Sequence, residues 1–363
     1  MKKTLAALAV LGAFAGSAMA ADVTLYGAVD TGFEYIHTKS TGEKGVDTFD
    51  MQTGWDTPSR WGLKGSEDLG NGYKVSFKLE SGFNSDDGTM GQSNRLFGRE
   101  AGLTLSGPFG SVAFGRFGGI SSSAGTYDML GYVESFDGGD GNVWGFASSS
   151  RYDNMVVYQT PRFAGLQLTA QYSFKTDTKE GDEGTSHAQR YASVGLSGEY
   201  GPASFAVGYE LTKYGANTNG ARALDKDGQL VFVGGNYDFE VVQLFAEAQY
   251  FKHQTAINAG DDATAELGLG KLGLKGYGLH LGAAAPLAGG TLTAGLYYVD
   301  LSEEAVDQAD EDAKYYGVSA RYNYPLSERT SLYAGAGYGQ LKDDDSGNKD
   351  QLTQVYCGLV HTF

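Results

Sequence analysis

The strongest constraint on this chain is a two-residue alternation held over segments too long for ordinary globular strands. Residues 22–36 read DVTLYGAVDTGFEYI, with Val23, Leu25, Gly27 and Val29 on one face and Thr24, Tyr26, Ala28 and Asp30 on the other. Period two is the period of a strand, because successive side chains leave opposite faces of a pleated backbone. The pattern returns repeatedly. Tyr73, Val75, Phe77 and Leu79 alternate with Lys74, Ser76, Lys78 and Glu80, and Phe205, Val207, Tyr209 and Leu211 with Ala206, Gly208, Glu210 and Thr212. Late in the chain, Tyr316, Val318, Ala320 and Tyr322 alternate with Tyr315, Gly317, Ser319 and Arg321. Segments of about 10 to 13 residues cross a bilayer at a tilt, whereas globular strands centre on about five or six. An apolar face opposite a small or polar one then places lipid outside and water inside.

The connectors alternate between short and long. Short ones fall at 69–72, 106–110, 160–165, 201–202, 237–240, 286–290 and 325–329, and hold five of the six prolines. A missing N–H harms no ladder there. Long, mostly acidic ones fall at 37–52, 84–94, 118–150, 176–188, 214–228, 252–271, 302–313 and 342–351. Eight long loops and seven turns join sixteen strands, an even count with both chain ends on the short-turn side. The expected fold is all-β: a 16-stranded antiparallel transmembrane β-barrel, closed because an open sheet edge has no partner in lipid. The loop at 118–150 is by far the longest, and an ordered connection of that length is expected to be functional.

The first twenty residues read differently. Lys2 and Lys3 precede an apolar stretch at 5–15, and Ala18-Met19-Ala20 forms a cleavage site, so 1–20 is expected to be a signal peptide and 21–363 one barrel domain. The formal charge of −17 lacks the basic footprint that nucleic acid requires. The single cysteine, Cys357, excludes an intrachain disulfide and any multi-cysteine metal site.

Several stretches resemble the general diffusion porins of the Gram-negative outer membrane, particularly the β-proteobacterial type. They are VTLYGAVDTGFEY at the start of the expected mature chain, SRWGLKGSEDLGNGYKVSFKLE at 59–80, RLFGREAGLTLSGPFGSVAFGR at 95–116, RYDNMVVYQTP at 151–161, and the terminal GLVHTF. The resemblance implies a homotrimer of barrels in the outer membrane, in contact with lipid and lipopolysaccharide. Each barrel would pass ions and small hydrophilic solutes through a pore narrowed by an infolded third extracellular loop. It implies no enzyme activity, cofactor or metal. Phe363, with Leu359 and Val355 at even spacing before it, resembles the family's barrel-assembly signal.

By motif, the family's basic constriction wall maps onto Arg60 in SRWG, Arg99 in FGRE and Arg151 in RYDN, with Arg116 in FGR a fourth candidate. Parity puts Arg60 on one face with Lys64, opposite Trp61 and Leu63, and turns Lys78 to the lumen on the next strand. Arg116 shares a face with Val112 and Phe114, so a bulge or loop packing has to intervene if it is to reach the lumen. Facing the wall, the third loop supplies Asp128, Glu134, Asp137 and Asp140. Opposed rows of charge across a narrow gap orient polar solutes and disfavour apolar ones. The arginines point to anion preference, which the acids of the loop and mouths oppose. An alternative is a substrate-specific channel for a sugar or organic anion, since Tyr127, Tyr132, Phe136 and Trp144 put aromatic surface in the loop. Neither a G-x-S-x-G elbow nor an H-E-x-x-H pair is present to poise hydrolysis.

Overall fold

The computed structural model describes residues 23–363 apart from 140, 178–187, 217–223, 259–271 and 304–310. The expected signal peptide and Asp140 lie outside the described residues. The strands are β1 (Thr24–Ser40), β2 (Val46–Gln52), β3 (Arg60–Gly70), β4 (Tyr73–Gly82), β5 (Glu100–Gly107), β6 (Gly110–Gly118), β7 (Arg151–Gln159), β8 (Leu166–Ser173) and β9 (Arg190–Tyr200). They continue as β10 (Ala203–Lys213), β11 (Gly228–Asp238), β12 (Gln243–Gln254), β13 (Leu274–Leu287), β14 (Gly290–Glu303), β15 (Glu311–Ser327), β16 (Thr330–Asp343) and β17 (Lys349–Thr362). Apart from β2 and β3, which do not pair with each other, sequence neighbours pair antiparallel, and β17 returns to β1. Both β2 and β3 pair with β1, over Gly32–Thr38 and Thr24–Ala28 respectively. They are two pieces of one barrel position, so the wall has sixteen positions, as the alternation requires.

The seam shows how closure is achieved. Thirteen residue pairs run from Ala28↔Thr362 to Ser40↔Asp350. Below them the Gly27 and Phe363 backbones exchange both hydrogen bonds at 3.0 Å. A Cβ on Gly27 would lie 2.4 Å from the Phe363 ring, so the terminal ring needs a glycine beneath it. The outward faces carry exposed Leu25, Val29 and Phe33 on β1, Leu279 and Leu281 on β13, and Val355 and Leu359 on β17. Exposed aromatics gather beside the short turns (Tyr73, Phe109, Phe163, Tyr200, Tyr237, Phe239 and Tyr324), the aromatic girdle of a membrane interface. The β3–β4 turn carries positive φ at both Asn71 and Gly72, the left-handed geometry that twisted hairpins demand.

Three boundaries differ from the sequence reading. The expected first loop, 37–52, is mostly strand, because β1 and β2 extend as a hairpin around residues 41–45, with Phe49 of β2 stacked on Phe33 of β1. The expected last loop shrinks to 344–348 for the same reason. Pro286 and Pro325 sit in the last turns of β13 and β15 rather than in the connectors. Alternation mostly of polar with polar residues leaves little hydrophobic signal above the lipid zone, so these strand ends read as loop.

Candidate functional site: the pore constriction

Residues 119–150, the third loop, fold into the barrel and lie along one half of its inner wall. At the root, Gly119 N–H donates to the Ser150 carbonyl, and the Ser121 and Ser149 hydroxyls donate to Glu210 of β10 at 2.9 Å each. Tyr191 of β9 donates to the same carboxylate at 2.7 Å. The loop then crosses a track of lumen-facing glycines. A Cβ on Gly195 would meet the Met129 sulfur at 2.2 Å, on Gly234 Val133 at 2.8 Å, on Gly278 Phe146 at 2.7 Å, and on Gly317 the Val143 carbonyl at 2.8 Å. Any larger residue at these positions has to push the loop inward. Ile120, Met129, Leu130, Val133, Val143 and Phe146 are buried against this track, and each such side chain contributes about 1.5–3 kcal/mol.

Hydrogen bonds fasten the far leg. His280 of β13 accepts from Phe136 N–H through Nε2 at 3.3 Å, and Tyr297 of β14 donates to the Phe136 carbonyl. Gln249 of β12 pairs with both backbone groups of Ala147, and Gln354 and Tyr356 of β17 donate to the Gly138 carbonyl. The loop therefore covers the wall from β9 round to β17.

The wall from β1 to β7 is left facing the open lumen and carries the charge. Arg60, Lys64, Lys78, Tyr26 and Glu80 line one cavity of about 530 Å³ with Thr362 and Phe363. Lys64, Lys78 and Glu100 line an adjoining one of about 420 Å³. The cations are not bare. Arg99 Nε donates to Glu80 Oε1 at 2.8 Å, Lys78 reaches Glu100 at 2.9 Å and Glu80 at 3.7 Å, and Tyr26 donates to Glu80 Oε2. Lys64 lies over the Tyr26 ring at 5.1 Å, and Arg60 donates to the Pro58 carbonyl. Glu100 also holds the loop, accepting from the Thr126 hydroxyl at 2.7 Å. Glu80 and Glu100 were absent from the sequence-based site, although the parity that turns Lys78 inward turns Glu80 inward too.

The other anticipated residues take separate places. Arg116 is drawn out of the row: it donates to the Gly98 carbonyl and to Asp153 at 2.6 Å, beside Arg95, which binds Asp153 and Asp177. The register shift between Gly115 and Phe117 is the bulge its ambiguous parity required. It delivers Phe117, not Arg116, onto Tyr127 of the loop. Arg151 lines a third cavity with Asp137, described below. Asp128 accepts from the Ser123 and Leu130 amides, closing a turn of its own loop, with Glu210 and Glu247 nearby. Burial there pushes its carboxyl up to about 7. Glu134 is exposed after the 3-10 turn Leu130–Tyr132, with a positive φ of 59°. The described loop acids thus do not form a single row.

One inward element had no sequence signal. Residues 53–59, between β2 and β3, leave the wall and fold into the lumen around Asp30. The Asp56 and Thr57 amides donate to Asp30 Oδ2 at 2.9 and 2.8 Å, Tyr333 of β16 donates to Oδ1 at 2.6 Å, and the Ser59 hydroxyl donates to the Asp30 carbonyl. Trp55 stacks on Tyr356 with ring centroids 4.5 Å apart, and Asp56 pairs with Arg321 of β15 at 3.2 Å. Sequence patterning registers apolar alternation, and this stretch offers only Thr-Gly-Trp-Asp-Thr-Pro-Ser.

A closed sixteen-position barrel with a loop fastened inside it agrees with the comparisons. The Gram-negative porin profile matches residues 6–345. The chain belongs to that family. An outer membrane porin of Bordetella pertussis is 34% identical across the full length of both chains. Outer membrane porin protein 32 of Delftia acidovorans is 32% identical over 99% of this chain and 95% of its own. Among solved structures, the anion-selective porin from Comamonas acidovorans superposes with a TM-score of 0.71 at 26% identity, covering 95% of this chain and all of that one. OmpT of Vibrio cholerae in its trimer form shares the fold, with a TM-score of 0.60 at 16% identity over 95% of this chain and all of its own. This porin is therefore an integral outer-membrane channel that passes small hydrophilic solutes passively, in a family of channels rather than enzymes.

Proposed function

We propose that solutes cross this porin between the charged β1–β7 wall and the inner face of the third loop, and that the constriction prefers anions. The carrying observation is the wall's composition: among the residues lining the two open cavities, Arg60, Lys64, Lys74 and Lys78 outnumber Glu80 and Glu100, leaving a net excess of two positive charges at the open face. Charges at the narrowest point act over less than a Debye length of about 8 Å, so they outweigh the acidic loop tips at physiological salt. The similarity to a porin described as anion-selective supports the same preference. The test is the reversal potential in a planar bilayer under a potassium chloride gradient. A sign showing faster chloride passage supports the reading, and faster potassium passage overturns it.

The assembly we propose is the homotrimer, with a lipid and lipopolysaccharide surround. A fold neighbour described in a trimer form supports it, and insertion should then raise conductance in groups of three equal steps.

A further inference from the structure

A cavity of about 320 Å³ opens between the inward segment 53–59, the third loop and the start of β7. Its charged lining is unusual. Arg151 and Asp137 both face it, yet among the described residues no ion pair joins them to each other or to anything else within 4 Å. Arg151 Nε is buried without a hydrogen-bond partner, near the like charges of Arg99 and Arg116 and the opposite charges of Glu80 and Glu100. Among the described residues the hydrogen bond to Asp137 is from Gly139 N–H to Oδ1, and none reaches its second oxygen. The third charge in the lining, Asp56, is already neutralised by Arg321 and bonded by Asn323. The rest of the lining is small or polar, with Ser122, Ser123, Ser148 and Asn258, and only the edges of the buried Trp55 and Trp144 reach it.

A half-buried guanidinium and a carboxylate that share one small cavity, neither in a direct ion pair among the described residues, are each costly alone. A simple anion satisfies Arg151 and is repelled by Asp137; a simple cation meets the reverse. A ligand with both signs a few bonds apart satisfies both, with a charge-assisted hydrogen bond at each end. We propose that this cavity is a subsite for zwitterionic α-amino acids, the carboxylate on Arg151 and the ammonium on Asp137. The proposal rests on the chain conducting as a porin and adds a solute class that the β1–β7 wall does not select.

The probe is L-leucine, compared at neutral pH with 4-methylvalerate, which lacks the ammonium, and isopentylamine, which lacks the carboxylate. Each is titrated against the wild-type conductance in planar bilayers. Leucine is expected to reduce the current saturably, with a half-saturation at least about tenfold lower than either analogue. Asp137→Asn and Arg151→Gln, checked for native heat-modifiable migration, should each raise it about tenfold. The double exchange Asp137→Arg with Arg151→Asp should recover part of the loss. Equal block by leucine and 4-methylvalerate, or unchanged half-saturation in Asp137→Asn, overturns the subsite. A channel that conducts without any saturable leucine block overturns the subsite and leaves the porin reading standing. A folded wild type that never conducts overturns both.

Discussion

The two halves of the inner wall are built from the same alternation and do opposite things. From β9 to β17 the inward positions include a track of glycines under the third loop, with buried polar side chains such as Glu210, Gln249, His280 and Gln354 spent on fastening it. From β1 to β7 they carry Tyr26, Arg60, Lys64, Lys78, Glu80 and Glu100 and stay open. A barrel interior of this size needs something to occupy part of it if it is to discriminate at all. Here the occupant is docked on the glycine track, and selectivity is left to the half whose long charged side chains stay open. The constriction is thus a consequence of asymmetry around the ring.

Unseating the loop breaks that asymmetry most directly. Gly195→Leu places a side chain where even a Cβ comes within 2.2 Å of Met129, and overpacking of this kind costs about 1–3 kcal/mol. The expected outcome is a loop displaced from β9 to β11, larger single-channel conductance, and entry of sugars the wild type excludes in liposome swelling. Unchanged size exclusion would show that the glycine track does not position the loop.

Reversing the open half is the next largest change. Replacing Arg60 and Lys64 by glutamate turns a wall of four cations and two carboxylates into one of two cations and four carboxylates. The reversal potential should change sign toward cation preference. The same two exchanges made on exposed outer-loop lysines should leave it nearly still, because those charges are screened.

Trp55→Ala sharpens the boundary between the halves, since the inward segment 53–59 ties β1 to β15–β17. Losing a buried indole stacked on Tyr356 costs about 3–5 kcal/mol, which should appear as a lower dissociation temperature on semi-native gels. Ion selectivity should move less than in the wall exchange.

The smallest effect concerns the covered half and depends on pH. Burial raises the Asp128 carboxyl from 3.8 to about 7, so the folded chain holds a proton there that the unfolded chain has released. This contribution to stability is present in full below about pH 3.8 and is lost as pH rises through about 7. Asp128→Asn keeps an oxygen for the Ser123 and Leu130 amides and removes the charge. It should flatten the dissociation temperature between pH 5 and 8, with the gain confined to the alkaline end. A pH profile identical to wild type would place the titrating group elsewhere.

The architecture was legible because alternation and turn placement report directly on which face meets lipid. Parity alone turned Arg60, Lys64 and Lys78 inward, and the same rule applied to Glu80 would have shown the wall to be mixed. The loop's acids were a different matter. Asp128 spends its carboxylate on its own backbone and Asp137 faces a cavity shared with Arg151, outcomes set by a non-repeating path that no periodicity encodes. The inward segment at 53–59 was hidden for a related reason: its partners Asp30, Tyr333 and Tyr356 are adjacent only after the first and last strands meet. The glycine track was in plain view as composition, but which of the 55 glycines lie under the loop depends on strand register.

The loop at 119–150 leaves the wall after β6, yet the surface it rests on comes from residues 191–356. Most of its contacts are therefore distant in sequence, and their entropy of closure has to be overcome before they give anything back. During assembly the chain presents the loop early and its bed late. A barrel that has not yet joined Phe363 to Gly27 lacks the finished bed, so the narrowing of the pore is completed by the last strand to arrive. Leakiness of partly assembled barrels would then be a kinetic property of this chain, timed by closure of the seam.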